Sequence, residues 1–404
     1  MTYSFLGLSR RNLALIALAP AIVVSLCSTT VGSGASPRHT TRKPLTSSWK
    51  YVTVDAGTNT STEVTGINNL PTTAGGPEIV GNYVSGATSG SGKSPLYSSF
   101  YASGPTFATL YDASYPRTQA SPPSPQGTQM NAINSQASAS EIPVLAGIVY
   151  EPGDQSGSWA AVYNQGLWSL IQNPGSIGGT KDYESYLYGI NNQDVVVGYH
   201  TKHTPYPTFA YLVAPPELWQ DIVFPPSIGT VRSSIAYGIN DDGDMVGTAC
   251  VGSSSKDCVN ESWYAVCVYS SCPQTSSSKK SFDSSYCWGV LNNGTNTSAT
   301  TAYAISDSFA ITSRGTVTKL IAGSYTDSTN NVTYGFVVPL ASGTGTKKCP
   351  VTVESFEQVH ATSAATLTVV RGVNADGDIA GYYVSNNKQH GFVGTPVSLA
   401  KRRR

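Results

Sequence analysis

Two segments of the chain place oxygen-bearing side chains at alternate positions, a spacing that can bind calcium. An EF-hand loop also needs a glycine at its sixth position and a glutamate at its twelfth, and neither is present here. Because each segment contains an Asp-Gly pair between apolar runs, we expect tight turns shaped by Asn and Asp side chains. Calcium is the one cofactor that the sequence leaves open. The weak candidate ligands are Asp242 and Asp244, which follow Asn240, and Asp376 and Asp378, which follow Asn374.

The cysteines are a second set of residues that could do chemistry, and their number predicts disulfide cross-links. Six of the seven cysteines lie between positions 250 and 349, and an even number in an exported chain predicts disulfide bonds. The absence of a Cys-x-x-Cys motif argues against a zinc site. Spacing alone does not fix the connectivity. The candidate pairs are Cys250 with Cys258, Cys267 with Cys272 and, by elimination, Cys287 with Cys349.

No catalytic residues can be assigned from spacing. His200 and His203 are the closest histidines, in a segment predicted to be an exposed polar loop, and the sequence indicates no third metal ligand. A glycosidase needs two carboxylates about 5 to 10 Å apart. Six acidic residues are candidates in that loose sense, and nothing in their spacing selects a pair. They are Glu63, Glu78, Asp112, Glu151, Asp221 and Glu354.

The elements that must position these residues form an internal repeat. Six triplets resemble Gly-Ile-Asn, and each is followed by a β-branched run that ends in glycine or in Ala-Gly. An apolar segment with an aromatic residue comes next, and we expect those aromatics to form the core between repeats. The triplets begin at Gly66, Ala132, Gly189, Gly238, Ala304 and Gly372. The aromatics are Phe107, Trp159, Phe209, Trp263 or Tyr264, Phe336 and Phe392.

A fourth apolar run precedes each triplet, as in the segment from Trp49 to Asp55, so each unit holds four short strands. Glycine and proline interrupt the chain often, and no sustained helical period is present. The sequence therefore predicts an all-β fold, a six-bladed β-propeller of four-stranded blades over residues 49–395. Closure should place the segment from Trp49 to Val52 beside His390 to Val393. Seven blades, or another β-repeat array, is the alternative, because the fifth unit is irregular.

The best copies of the repeat run from Tyr237 to Gly247 and from Arg371 to Tyr383. Their pattern, Gly-Ile-Asn-x-x-Gly-x-Ile-Val-Gly, resembles the HAF-type repeat of bacterial exported proteins. The resemblance implies an extracellular β-repeat architecture. It implies no catalytic residues.

The chain ends indicate export. Arg10 and Arg11 precede an apolar stretch from Leu13 to Leu26 and then small residues, which is typical of a signal peptide. We divide the chain into a signal peptide (1–35), a flexible linker (36–48), the repeat domain (49–395) and a basic tail (396–404). The expected location is secreted or cell-envelope, periplasmic or extracellular, with no integral membrane segment in the mature chain.

The amino-acid composition argues against nucleic acid as a binding partner. Charged residues make up 12% of the chain and the formal net charge is zero, so no electrostatic surface for nucleic acid is expected. We expect a monomer that is a non-catalytic binding or surface-structural propeller, recognising extracellular carbohydrate or protein. The alternative is a propeller enzyme, a glycoside hydrolase or lyase, that acts on extracellular polysaccharide.

Overall fold

A computed structural model gives the fold of the protein. In the ranges that it describes, the chain is all-β, as predicted, with one three-residue 3-10 helix at Pro226–Ile228. No helix in these ranges has the length and apolar character needed to cross a membrane. The predicted signal peptide, the linker and tail residues 398–404 lie outside the described residues. The described ranges are 49–57, 61–69, 76–84, 97–104, 106–107, 110–114, 127–135, 143–150, 158–171, 184–201, 207–215, 218–254, 257–268, 285–292, 297–308, 310–311, 317–342 and 351–397.

After a first strand, β1 (Trp49–Val54), three four-stranded antiparallel sheets follow one another, each with its strands in sequence order. The first sheet contains β2 (Ser61–Ile67), β3 (Ile79–Val84), β4 (Tyr97–Ala102) and β5 (Leu110–Asp112). The second contains β6 (Gly127–Ile133), β7 (Leu145–Tyr150), β8 (Ser158–Asn164) and β9 (Leu167–Ile171). The third contains β10 (Ser185–Ile190), β11 (Val196–Thr201), β12 (Thr208–Ala214) and β13 (Leu218–Asp221).

The fourth sheet repeats this order with β14 (Val231–Ile239), β15 (Met245–Val251), β16 (Val259–Cys267) and β17 (Tyr286–Leu291). The fifth unit is irregular, as its sequence indicated, and carries short extra strands. It contains β18 (Thr297–Ile305), β19 (Ala310–Ile311), β20 (Val317–Asp327), β21 (Val332–Ser342), β22 (Val351–Val353) and β23 (Glu357–Val359). The sixth unit contains β24 (Leu367–Val373), β25 (Ile379–Ser385) and β26 (Lys388–Pro396). One residue pair, Thr333 with Leu367, joins β21 and β24 into a single larger sheet.

The first strand of the chain completes the last unit. β1 pairs with β26 in antiparallel register, with Val52 opposite Val393 and Val54 opposite Gly391. The predicted proximity of the two chain segments is therefore confirmed. The ring of Tyr51 also packs edge-on against Phe392, with the centroids 5.6 Å apart.

The apolar core is divided among the interfaces between consecutive units. One buried cluster joins Val246 of the fourth sheet to Phe336 of the fifth unit. Comparable clusters lie between the other neighbouring units. A further cluster packs Val393 of the sixth unit with Val64 and Ile79 of the first. Core contacts thus return from the last unit to the first.

The asparagine that ends five of the six triplets connects two units. Asn240 Oδ1 accepts a hydrogen bond from the backbone N–H of Asp244 in its own hairpin (2.8 Å), and its Nδ2 donates to the Ser306 carbonyl of the next unit (2.9 Å). The last unit is linked to the first in the same way, because Asn374 Nδ2 donates to the Asn68 carbonyl (3.1 Å). Buried backbone polar groups need such partners, which explains the asparagine of the repeat.

The glycine that ends the β-branched run of each repeat lies against the backbone of the neighbouring strand. A Cβ atom at Gly198 would overlap the carbonyl oxygen of Tyr186, and one at Gly247 would overlap that of Ile235. On the third strand, a buried aromatic side chain faces this glycine in five of the six units. These aromatics are Phe100, Tyr211, Trp263, Phe336 and Phe392.

Three of the predicted core aromatics do not face this glycine, although Phe107 is buried in the cluster between the sixth and first units. The strand register places Phe100, not Phe107, opposite Gly81, and Tyr211, not Phe209, opposite Gly198. In the second unit Ala161 takes this place, two positions after Trp159. The facing residue is set by strand register, which hydrophobicity alone does not define.

A disulfide bond joins Cys250 and Cys258, with their Cα atoms 5.3 Å apart. It closes the hairpin between β15 and β16. Cys267 and Cys287 are also disulfide-bonded. Their predicted partners, Cys272 and Cys349, lie outside the described residues.

We expect all six mature cysteines to be oxidised. Titration of the denatured, unreduced protein with a thiol reagent should therefore find almost no free thiol. Three or more reactive thiols per chain would contradict the expectation.

Candidate functional site

The first strand of every unit contains a one-residue irregularity in its pairing with the second strand. The register of each of these strands shifts by one residue just before the triplet glycine or alanine, which is a β-bulge. The six extra residues all line one cavity of about 480 Å³, which we call the tyrosine cavity. They are Thr65, Asn131, Tyr188, Tyr237, Tyr303 and Arg371.

One wall of the tyrosine cavity is aromatic. Tyr188 and Tyr237 lie with ring centroids 5.1 Å apart, and Tyr237 and Tyr303 are separated by the same distance. All three rings are partly exposed. Burial raises the pKa of Tyr188 to about 12 and raises that of Tyr237 above its ordinary value. These two phenols are therefore neutral at physiological pH and can donate hydrogen bonds.

The facing wall is polar and rigidly held. Asn131 Nδ2 donates to the Leu187 carbonyl (2.7 Å), and Thr65 Oγ1 donates to the Met130 carbonyl (2.6 Å). Beside them, the Gln129 side-chain oxygen accepts a hydrogen bond from the Tyr150 hydroxyl (2.5 Å). The hydrogen bonds fix the side chains of this wall before a ligand arrives.

Arg371 lies where the two walls meet. Its guanidinium carbon is 4.1 Å from the centroid of the Tyr303 ring and 5.9 Å from that of Tyr382. Burial lowers the pKa of Arg371, but the Tyr303 hydroxyl and the Glu63 carboxylate raise it by more. The pKa therefore lies above its ordinary value, and the side chain stays charged. Its Nε atom is buried and has no hydrogen-bond partner in the described part of the chain.

Of the acidic candidates, the structure brings Glu63 to this cavity, where its Oε1 atom accepts a hydrogen bond from Asn82 Nδ2 (3.3 Å). Glu78 instead binds Asn68 through Oε2 (3.0 Å). Asp221 lies 2.9 Å from His200 Nε2. Asp112 caps the backbone of Ser114, Glu354 follows β22, and Glu151 lies outside the described residues.

The loop prediction for His200 was wrong. His200 is a buried residue of β11, because its aromatic ring packs among Phe209, Tyr211 and Trp219. His203, the other member of the predicted pair, lies outside the described residues.

A second cavity, of about 570 Å³, is lined by the residues that follow the triplets, and we call it the polar cavity. Each of these residues, in five of six units, donates its backbone N–H to a side-chain oxygen of its counterpart in the next unit. Asn69 donates to Ser135 Oγ (2.7 Å), Ser135 to Asn192 Oδ1 (2.6 Å), Asn192 to Asp241 Oδ1 (2.8 Å), Asp241 to Asp307 Oδ1 (2.7 Å), and Ala375 to Asn69 Oδ1 (2.6 Å).

These hydrogen bonds link the first five units in order and link the sixth unit to the first. The series has one interruption, after Asp307, because the side chain of Ala375 has no acceptor. Asn69 Nδ2 donates instead to Asp307 Oδ2 (2.5 Å). Sequence reasoning missed both sets of lining residues. The available signals were the tyrosine before three triplets and the small polar residue after five of them.

Asp307 should make stability depend on pH. Burial and the neighbouring Asp241 carboxylate raise its pKa from 3.8 to about 6. The folded state then binds the Asp307 proton more tightly than the unfolded chain does. Protonation of Asp307 therefore stabilises the fold, and this contribution is complete below pH 3.8 and is lost as the pH rises through 6.

Asp241→Asn removes the neighbouring charge. We expect it to lower the Asp307 pKa and to flatten the fall in the free energy of unfolding between pH 4 and pH 6. Denaturant unfolding of both proteins across this range measures the effect, with Asp307→Asn as the variant that lacks the group. Identical profiles for the wild type and Asp241→Asn would contradict the prediction.

The predicted calcium ligands lie in hairpin turns, as the Asp-Gly pairs indicated, with Gly243 and Gly377 at φ values of 80° and 82°. Asp244 is fully buried and accepts hydrogen bonds from Asn240 Nδ2 (3.0 Å) and the Cys267 backbone (2.8 Å). The Lys319 ammonium group pairs with both Asp242 and Asp244. In the sixth unit, Asp378 accepts from Asn374 Nδ2 (3.1 Å).

We expect calcium to leave the protein unchanged, because protein donors already engage these carboxylates. Excess calcium and a chelator should give the same melting temperature. A ligand that binds only the native state must raise stability, so an increase of several degrees with calcium would restore the metal-site hypothesis.

Comparisons with known proteins do not identify a family or a function for the chain. No protein-family profile matches the chain, and no curated protein matches it. A crystal structure of a protein of unknown function from Dyadobacter fermentans DSM 18053 matches at 10% identity with a TM-score of 0.41. The match covers 86% of this chain and 98% of that one.

Proposed function

We propose that the protein is an exported, closed six-bladed β-propeller that binds saccharides in the tyrosine cavity without transforming them. The pairing of β1 with β26 supports a closed ring. The core cluster between the sixth and first units and the hydrogen bonds around the polar cavity support it independently. Its disulfide bonds support export, because they persist in oxidising compartments, and the HAF-type pattern agrees.

Removal of β1 tests the ring. A chain that begins after residue 55 loses the partner of β26 and exposes the core around Phe392, so its melting temperature should fall steeply. A synthetic peptide of residues 49–55 should restore part of the loss. Unchanged stability of the shortened chain would contradict closure.

The observation that carries the saccharide function is the pairing of an aromatic wall with a polar wall. Sugar rings present apolar C–H faces and hydroxyl edges, which match partly exposed tyrosine rings and fixed amide and hydroxyl groups. The cavity volume of about 480 Å³ lies within the usual range for small-ligand sites.

Binding is favoured over catalysis by the acid and base groups of the cavity. Glu63 is the one carboxylate among its described lining residues, whereas a glycosidase needs a pair. A lyase needs a base with a pKa near the working pH, and burial raises the pKa values of Tyr188 and Tyr237 away from it.

Calorimetric titration with a panel of neutral and acidic oligosaccharides tests the proposal. We expect Tyr237→Ala to weaken binding about three- to tenfold, through loss of ring stacking. Tyr111→Ala is the matched control, because Tyr111 is an exposed tyrosine outside the cavity. Absence of binding to every saccharide, or equal losses in the two variants, would overturn the proposal.

A further inference from the structure

We propose that Arg371 selects saccharides that carry a carboxylate, an inference that rests on the proposed saccharide site. The side chain projects from the bulge of β24 into the tyrosine cavity. Its buried Nε–H has no hydrogen-bond partner among the described residues. An arginine donor that has left water without a protein acceptor is a natural contact for a ligand oxygen.

The surroundings of Arg371 hold the guanidinium group in place, while its Nε–H has no acceptor among the described residues. Tyr303 contacts it at 4.1 Å through the ring face, which is a cation–π interaction. Such a contact covers one face of the planar group, and a side-chain hydrogen bond to Tyr382 engages another of its donors. The buried Nε–H stays without an acceptor among the described residues, and a carboxylate oxygen can accept from it in a charge-assisted hydrogen bond.

Glu63 sets a limit on this recognition. Its carboxylate lines the same cavity, raises the pKa of Arg371, and would repel a second negative charge. A ligand with a single carboxylate is therefore expected, bound on the part of the guanidinium group that faces away from Glu63. Glu63→Gln keeps the shape of the side chain, removes the charge, and should raise the affinity for acidic saccharides without changing that for neutral ones.

The test compares an aldobiouronic acid, a disaccharide with a single carboxylate, with the same disaccharide after chemical reduction of its carboxylate to an alcohol. The change is made on the ligand, so the wild-type protein answers the question even if a variant fails to fold. We expect the wild type to bind the carboxylated form about ten- to a hundredfold more tightly, as for a hydrogen bond to a charged group. Sulfated galactan serves as a second anionic probe.

Three variants extend the test, each with its melting temperature measured as a check on folding. Arg371→Met should bind the carboxylated and reduced forms equally, and Arg371→Lys should keep part of the preference because it keeps the charge but loses the planar fork. Glu63→Gln should increase the preference. Opposite shifts in Arg371→Met and Glu63→Gln are not expected from a merely structural role.

The outcomes separate this inference from the proposed function. Equal affinity of the wild type for the carboxylated and reduced forms, or a preference for sulfate, overturns the role of Arg371 and leaves saccharide binding intact. Failure to bind any saccharide overturns both. A preference that survives Arg371→Met overturns the assignment to this residue.

Discussion

Replacing Gly198 by alanine should lower the free energy of unfolding by more than about 3 kcal/mol. A Cβ atom at this position would overlap the Tyr186 carbonyl oxygen and lie 2.8 Å from its carbonyl carbon. Both atoms belong to the backbone of the adjacent strand, so no flexible side chain can move aside. The added methyl group must push β10 and β11 apart at the bulge that leads to Tyr188.

Gly166→Ala is the matched control for this substitution. Gly166 has a φ of 84° and nothing within 4 Å of the added Cβ, so only conformational strain opposes alanine there. We expect a loss of about 1 kcal/mol at this turn. Chemical denaturation of the two variants compares steric overlap with backbone strain directly. A loss at Gly198 no larger than that at Gly166 would contradict the steric explanation.

Lys319→Met should cost about 3 to 5 kcal/mol, because it leaves a buried carboxylate without its counter-charge. The Lys319 side chain is 11% exposed and that of Asp244 is fully buried, whereas Asp242 is 56% exposed. Lys319 reaches from β20 to the hairpin of the fourth sheet, so the variant weakens an interface between units. Most of the cost is the uncompensated charge of Asp244.

Two further variants isolate the charge. The double variant Lys319→Met with Asp244→Asn should recover much of the stability lost in Lys319→Met alone, which denaturant unfolding measures. Asp378 is the equivalent residue of the sixth unit, and its carboxylate accepts from Asn374. Burial raises the pKa of Asp378, so Asp378→Asn should cost far less than Lys319→Met. If the double variant loses as much stability as Lys319→Met alone, the lysine acts through packing alone.

The strand content and the repeat were predictable because their causes are local. Triplet, β-branched run and glycine recur within each unit, and the Asp-Gly turns at Gly243 and Gly377 take the positive φ values expected of them. The proximity of Trp49 to the last strand also followed from the repeat, since a unit that lacks its outer strand must take one from elsewhere.

The candidate site was not predictable to the same extent. Tyr188, Tyr237 and Tyr303 precede three of the triplets, but only the β-bulge directs them to a common cavity. Hydrophobic pattern does not specify a bulge, which depends on how the second strand pairs with the first. For the same reason, Phe100 and Tyr211 could not be distinguished from Phe107 and Phe209 as the residues that face glycine.

The sequence by itself determined that this is an all-β chain of repeated units, since side-chain alternation, turn chemistry and glycine spacing act over a few residues. Tertiary structure decided which units touch and which side chains converge. Arg371 and Glu63 are more than 300 positions apart in the chain, and their shared cavity arises because the sixth unit packs against the first. Contacts of that range depend on the summed geometry of all the strands between them, and no local pattern encodes that sum.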